Sequence, residues 1–126
     1  MMESVVISGG KTLPPVGPHS QAVRRGNILA IGGQVGTDPH SGILCEGIHE
    51  QLRQALTNIQ ELLKEAGASF ADVVMLHVYL TEEGHFREMN TILKEFLTEP
   101  FPARTTVYAQ LPPDMLVEVD ALAVVE

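Results

Sequence analysis

The sequence contains a single cysteine, Cys45, and no tryptophan. One cysteine cannot form a disulfide within the chain, so a disulfide-stapled scaffold is excluded and a reducing compartment is expected. Aromatic residues make up only 5% of the chain, and 8 basic residues stand against 16 acidic ones, for a net charge of -8. Few stacking surfaces and an acidic surface both argue against nucleic acid as a partner.

Long apolar segments are also missing. No apolar run approaches the roughly 20 residues that cross a bilayer, and the N-terminus lacks an apolar signal segment. We therefore expect a cytoplasmic protein with no membrane partner. With 126 residues and 44% hydrophobic content, the chain is expected to fold as one globular domain spanning residues 1–126.

Hydrophobic periodicity predicts the element order β-β-β-α-β-α-β-β. Two segments, 46–66 and 82–97, carry an apolar stripe with a period of about 3.6 residues, which predicts helices. Short β-branched or alternating segments predict strands at 3–8, 22–25, 28–31 and 72–80, and from Arg104 and Leu116 onward. Helices that cross over between strands predict an α+β fold, one mixed sheet with both helices on one face. The other face would remain uncovered, which predicts an oligomer.

Two glycine-rich segments interrupt this pattern. A loop rich in proline and glycine spans residues 8–18 and leads into His19. Long loops of this kind often carry function. Gly32 and Gly33 follow the strand at 28–31 and predict a close approach of the backbone to another strand or a ligand.

Motifs for metals and phosphates are absent from the sequence. No pair among the five histidines has i, i+4 spacing with a third ligand nearby, so we expect no metal site. Neither a phosphate-binding loop nor a dinucleotide-binding glycine pattern is present, and no cofactor is expected. Cys45 has no charged partner that would activate it and is interpreted as a small apolar residue.

Two charges interrupt apolar segments of the last two strands. Arg104 opens one strand, and Glu118 lies inside the other. A simple hairpin centred on Leu111 would pair them as a structural ion pair. Alternatively, Arg104 binds a substrate carboxylate through two parallel hydrogen bonds, while Glu118 holds or activates water.

The sequence resembles the RidA family, also called YjgF or L-PSP, over its whole length. The segments that carry the resemblance are Gly17-Pro18-His19-Ser20-Gln21-Ala22-Val23, Gly33-Gln34-Val35, Asp38-Pro39, Gly42, Thr57-Asn58, Val78-Tyr79-Leu80, Asn90, Pro102-Ala103-Arg104-Thr105, Leu111-Pro112 and Val117-Glu118-Val119. The resemblance implies a chorismate-mutase-like fold and a homotrimer with three sites in clefts between subunits. It also implies that the last strand inserts beside the strand at 72–80, away from the Arg104 strand.

The resemblance also implies roles for individual residues. Arg104 matches the arginine that binds the substrate carboxylate, and Glu118 matches the acid that positions the attacking water. The backbone at Thr106 matches the carbonyl that receives the imine nitrogen, and Asn90 matches an asparagine near the site. The expected substrate-binding residues are His19, Gly32, Gly33, Asn90, Arg104 and Thr106.

Three of these positions depart from the pattern of the family's deaminases. His19 stands where active members usually have tyrosine, Gly32 where they usually have serine, and Thr106 where they often have cysteine. Arg104 and Glu118 match that pattern. The expected site therefore has the same two charged residues as the deaminases but different residues at its rim.

The best-known members of the family are imine and enamine deaminases. The resemblance therefore implies a hydrolase that converts small 2-imino acids or enamines, such as 2-iminobutanoate and 2-iminopropanoate, to 2-keto acids and ammonia. The imine carbon is already electrophilic, so this chemistry requires no metal or cofactor. One alternative is a non-catalytic trimer that binds a small carboxylate at Arg104, which the changes at His19 and Gly32 favour. Another is an RNA-cleaving translation inhibitor, against which the acidic charge counts.

Overall fold

The computed structural model describes residues 2–8 and 14–126, so residues 9–13 of the predicted loop lie outside the described residues. The observed elements are β1 (Ser4–Ile7), β2 (Ala22–Arg25), β3 (Ile28–Val35), α1 (Gly47–Glu65), β4 (Val73–Leu80), α2 (Phe86–Phe96), β5 (Ala103–Tyr108) and β6 (Val117–Val124). Short 3-10 turns at Phe70–Asp72 and Glu83–His85 precede β4 and α2. The predicted order of strands and helices is confirmed.

The six strands form one mixed sheet in the order β1-β2-β3-β6-β4-β5. β4 and β5 pair in parallel, and the other neighbours are antiparallel. β3 and β4 are both antiparallel to β6 and so run in the same direction, as expected for strands joined by a helix.

The hairpin predicted between the Arg104 and Glu118 strands is wrong. β6 lies between β3 and β4 and pairs with both, so β4 separates Glu118 from the strand of Arg104. In this position β6 forms two hydrogen-bonded ladders instead of one, and it buries Val117, Val119 and Ala121 beneath the helices. Satisfied backbone groups and buried apolar area both favour the inserted strand over a hairpin.

Both helices pack on one face of the sheet, which we call the helical face. On β4 it carries Leu76 and Val78, and on β6 it carries Val119, all fully buried. The apolar stripe of α1 is buried as predicted, at Ile48, Leu52, Ala55, Leu56, Ile59, Leu62 and Leu63. Gly67 adopts a φ of 74° just beyond the helix, where a left-handed residue ends a helix and glycine does so without strain.

The second helix differs from its prediction at the N-terminal end. Residues Glu83–His85 form a 3-10 turn, and the α-helix begins at Phe86. Gly84 lies inside this turn, and glycine disfavours a regular α-helix. Phe86, an apolar residue of the helix predicted at 82–97, is 41% exposed, while Met89, Ile92 and Leu93 are buried.

The opposite side of the sheet, which we call the open face, is not covered by any described residue. Its apolar side chains include Ile28, Val107, Leu122 and Val124, each between 37% and 47% exposed. The described part of the chain contains no helix long and apolar enough to cross a membrane. The sheet therefore has one face packed against the two helices and an opposite face whose apolar side chains are open to contact.

Candidate functional site

Arg104 lies on the edge strand β5 and projects on the helical face. Its register partner is the buried Leu76 of β4. The guanidinium donates from Nη1 to Oδ1 of Asn90 at 2.6 Å, and its central carbon lies 5.8 Å from the ring centre of Phe86. Asn90 and Phe86 both belong to α2, so the helix orients the guanidinium while leaving most of its donors free.

A cavity of about 450 Å³ opens beside this guanidinium. Apolar walls from α2 and the segment before β5, including Leu93 and Phe101, surround three polar side chains: Asn90, Lys94 and Arg104. Two cations and an amide in an apolar cleft are suited to a small carboxylate. Sequence reasoning missed Lys94, whose only signal was its i+4 position from Asn90 on the same helix.

Thr106 lies two residues beyond Arg104 and shares the helical face. It aligns with the buried Val78, and its hydroxyl donates to Sδ of Met89 at 3.8 Å. We call Asn90, Arg104 and Thr106 the arginine half-site. The structure therefore brings these three predicted site residues together between β5 and α2.

Glu118 lies on β6 and projects on the open face, opposite Tyr79 of β4. Its carboxyl group passes over Gly33, where an added Cβ would lie 2.8 Å from Cδ of Glu118. The close approach predicted for the two glycines is confirmed, and the register of β3 shifts at this point, between Ile31 and Gln34. Only glycine leaves room for Glu118 at this position without displacing it.

Gly32 connects this position to the loop that carries His19. Its N–H donates to the carbonyl of Gln21 at 2.8 Å, and His19 precedes this segment as an exposed residue. We call His19, Gly32, Gly33 and Glu118 the glutamate half-site. Gly33 lies against Glu118, and Gly32 is bonded to Gln21, two residues after His19. Among the described residues, no hydrogen bond joins the His19 side chain to Glu118.

A buried pair of amides supports the glutamate half-site. Gln34 is 1% exposed, and its Nε2 donates to Oε1 of Gln21 at 2.7 Å and to the carbonyl of Gly32 at 3.2 Å. These bonds join the start of β2 to the irregular part of β3. Sequence reasoning missed this role, although a glutamine inside an apolar strand was a usable signal, because buried amides are normally hydrogen-bonded.

Burial raises the pKa of the Glu118 carboxyl, and the negative charge of Asp120 raises it further. Asp120 itself accepts two hydrogen bonds on the open face. Its Oδ1 lies 2.6 Å from Nδ1 of His77, and its Oδ2 accepts from the Tyr79 hydroxyl at 2.9 Å. The hydrogen bond to Asp120 raises the pKa of Tyr79, so this phenol remains a donor.

Arg104 and Glu118 lie on opposite faces of the sheet and cannot meet within one chain. Arg104 shares its face with Leu76, and Glu118 shares its face with Tyr79. The structural ion pair considered from sequence is therefore wrong for a single chain. Each chain carries two separate half-sites, one on each face. Among the described residues, no group of three His, Cys, Asp or Glu side chains is arranged to hold a metal ion.

Comparisons with known proteins agree with this architecture. The model of the endoribonuclease L-PSP family matches residues 9–125. A RutC family protein of Pyrococcus abyssi is 41% identical over 124 residues, which is 97% of this chain and 98% of that protein. The 2-iminobutanoate/2-iminopropanoate deaminase of Bos taurus is 42% identical over 121 residues, 94% of this chain and 88% of that enzyme.

A solved structure extends the comparison to the fold. RidA from an Antarctic Psychrobacter superimposes with a TM-score of 0.93 and 37% sequence identity, covering 96% of this chain and 99% of that one. The family model and the relatives both span nearly the whole chain, so the chain belongs to the RidA/YjgF/L-PSP family.

Proposed function

We propose that this protein hydrolyses small 2-imino acids, or their enamine tautomers, to 2-keto acids and ammonia. The observation that supports the proposal is the pair of half-sites: a cationic cleft at Arg104 and a carboxyl group with a raised pKa at Glu118. Similar relatives named 2-iminobutanoate/2-iminopropanoate deaminase add the reaction type. 2-Iminobutanoate and 2-iminopropanoate are the proposed substrates.

The two half-sites would divide the reaction between them. Arg104 binds the substrate carboxylate through the donors that Asn90 leaves free, and Lys94 adds a second positive charge to the cleft. The backbone carbonyl at Thr106 receives the N–H of the imine. Carboxylate binding therefore places the imine carbon at a fixed distance from the groups that act on it.

Glu118 then transfers protons from the attacking water to the substrate nitrogen. Its carboxylate accepts a proton as water attacks the imine carbon and passes that proton to the nitrogen, which gives a tetrahedral amino alcohol. The second water proton then moves from the hydroxyl group to the nitrogen through the same carboxylate, the carbon–nitrogen bond breaks, and ammonia leaves as the carbonyl forms. A carboxyl group whose pKa lies above its ordinary value is better suited to accept and return this proton near neutral pH.

Since the half-sites lie on opposite faces of one chain, we propose that a complete site forms between two chains of a homotrimer. The exposed apolar side chains of the open face support association, because apolar patches on isolated chains favour contact with another copy. Each subunit would contribute Arg104 to one site and Glu118 to another.

Mixing two inactive variants tests the divided site. Arg104→Ala keeps an intact glutamate half-site, and Glu118→Gln keeps an intact arginine half-site. When equal amounts are unfolded and refolded together, random trimers should regain about a quarter of the parental sites. Ammonia release from freshly generated 2-iminopropanoate is the measurement, with each variant refolded alone as the control. Recovery no greater than the sum of the two separate variants would contradict a site shared between chains.

A non-catalytic trimer that binds small carboxylates is the second candidate, and the altered rim at His19 and Gly32 favours it. Both functions require Arg104 for binding, but only catalysis requires Glu118. Calorimetric titration with 2-ketobutyrate should show a loss of about 100-fold in affinity for Arg104→Ala, little recovery in Arg104→Lys, and near-parental affinity in Glu118→Gln. Keto-acid binding without turnover of either imine by the parent protein would favour the binding module over the deaminase.

A further inference from the structure

Three side chains on the open face form a network next to Glu118. His77 and Asp120 are register partners on β4 and β6, and Tyr79 is the register partner of Glu118. Both oxygens of the Asp120 carboxylate are engaged, one with His77 Nδ1 at 2.6 Å and the other with the Tyr79 hydroxyl at 2.9 Å. Two hydrogen bonds therefore fix the position of the Asp120 carboxylate.

The same geometry defines the state of the histidine. An ionised carboxylate only accepts hydrogen bonds, so neutral His77 must present Nδ1–H to Asp120 and keep Nε2 free. The His77 side chain is 41% exposed in the single chain. With one ring proton on His77, the pair with Asp120 carries a net negative charge, and with both ring protons it is a neutral ion pair.

This change of charge occurs close to Glu118. Asp120 and Glu118 are two residues apart on one strand, so they share a face and their Cα atoms are about 6.6 Å apart. On β3 the register partner of Glu118 is Val35, and Gly33 of the same strand lies against its carboxyl group; neither carries a charge. Within one chain, and among the described residues, the His77–Asp120 pair is therefore the charged group that faces Glu118 on the sheet.

We propose that His77 and Asp120 are positioning residues that control the protonation of Glu118 and thereby set the pH range of the proposed deaminase reaction. The effect on the pH range of the reaction rests on the proposed function, whereas the control of Glu118 protonation concerns the protein alone. The raised pKa of Glu118, to which Asp120 contributes after burial, is consistent with the geometry.

The two partners act on Glu118 in opposite directions. The Asp120 charge disfavours a second negative charge nearby, so it makes Glu118 keep its proton to higher pH. A protonated His77 cancels that charge and makes Glu118 release its proton more readily.

Carbon-13 NMR of glutamate-labelled protein can follow the titration of the Glu118 carboxyl directly. In Asp120→Asn the midpoint should fall by roughly 0.5–1 pH unit, and in His77→Gln it should rise by a similar amount. Tyr79→Phe removes a hydrogen bond without changing charge and should shift the midpoint less than either. Glu65→Gln removes one negative charge at an exposed position on α1 and serves as the charge-matched control.

Opposite shifts in the two variants would support the inference, because a purely structural role predicts no such pattern. Unchanged midpoints in both, or shifts in the same direction, would overturn it. The acidic limb of kcat/KM for 2-iminopropanoate should move with the midpoint in each variant, and a limb that stays in place would overturn the link to the reaction. An inactive parent protein would contradict the proposed function, while the NMR titration would still decide the control of Glu118.

Discussion

The two faces of the sheet use the same strands for different purposes. On the helical face, alternate residues of β4 and β6 such as Leu76 and Val119 are completely buried by α1 and α2. The residues between them lie on the open face, where Leu122 and Val124 are 37% and 44% exposed. Similar apolar side chains thus stabilise the single chain on one face and remain available for contact with another chain on the other.

Two carboxyl groups, one on a helix and one on the open face of the sheet, differ in the direction in which their pKa is shifted. Glu95 on α2 accepts two hydrogen bonds from Arg53 of α1, at 3.0 and 2.9 Å, and these bonds lower its pKa. Glu118 on the open face is half-buried beside another carboxylate, and its pKa is raised. An exposed, paired carboxylate supports the fold, whereas a crowded, partly buried one is ready to exchange a proton.

The largest expected effect compares the same substitution on the two faces. Leu76→Ala should lower the free energy of unfolding by about 2–5 kcal/mol, because it leaves a cavity beneath the helices. Leu122→Ala should cost less than about 1.5 kcal/mol in the dissociated chain, because its side chain is partly solvated. Urea denaturation at several protein concentrations measures both, and only the cost of Leu122→Ala should grow with concentration if the open face mediates association. Equal costs at every concentration would contradict the comparison.

An intermediate effect is expected for Gly33 of the glutamate half-site. Gly33→Ala should displace the Glu118 carboxyl, from which the new Cβ would be only 2.8 Å away, and reduce kcat/KM by at least about 10-fold. The melting temperature should change little, because the end of a glutamate side chain can move. Gly84→Ala is the matched control, since it lies outside both half-sites and a Cβ there would meet no atom within 4 Å. Equal losses of activity in both variants would argue against a specific effect on Glu118.

The smallest effects concern stability as a function of pH. The raised pKa of Glu118 means that its ionisation weakens the fold as pH rises through that pKa. Glu118→Gln should therefore raise the melting temperature at neutral pH, and the gain should disappear in acid. Glu95, with its lowered pKa, contributes stability that is present above the ordinary glutamate pKa and is lost as pH falls through the lowered one. Glu95→Gln should thus lower the melting temperature at neutral pH and not in strong acid.

Melting curves of the parent and both variants across the acidic to neutral range provide this measurement. The two differences from the parent should have opposite signs at neutral pH. Differences of the same sign would show that the two carboxyl groups are not in contrasting environments.

Local patterns predicted the elements well because local physics governs them. The stripe of α1 and its end at Gly67 follow from periodicity and from the backbone freedom of glycine. The start of α2 was predicted less well, since Gly84 favours a 3-10 turn and Phe86 is exposed beside Arg104 instead of joining the core. Single residues at helix ends depend on neighbours that periodicity does not describe.

The resemblance pointed to Arg104 and Glu118, but their arrangement depended on strand order. Sequence neighbours suggested a hairpin, whereas the resemblance implied that the last strand inserts beside β4. The structure confirms the insertion, in which β6 gains a second ladder. The Asp120 network was also hidden, since His77 and Tyr79 lie more than 40 residues away from it along the chain. Alternation along one strand shows which of its residues share a face, but it does not show which residues of another strand lie next to them.

Composition and periodicity are properties of short segments, so the amino-acid sequence alone was sufficient for the α+β class, the order of the elements and the buried stripe of α1. Register and strand order depend on contacts between distant segments, so the fold was needed to place Arg104 on the helical face and Glu118 on the open face. A side chain's face depends on the register of its strand, and register is set by which neighbours satisfy its backbone and bury its apolar residues.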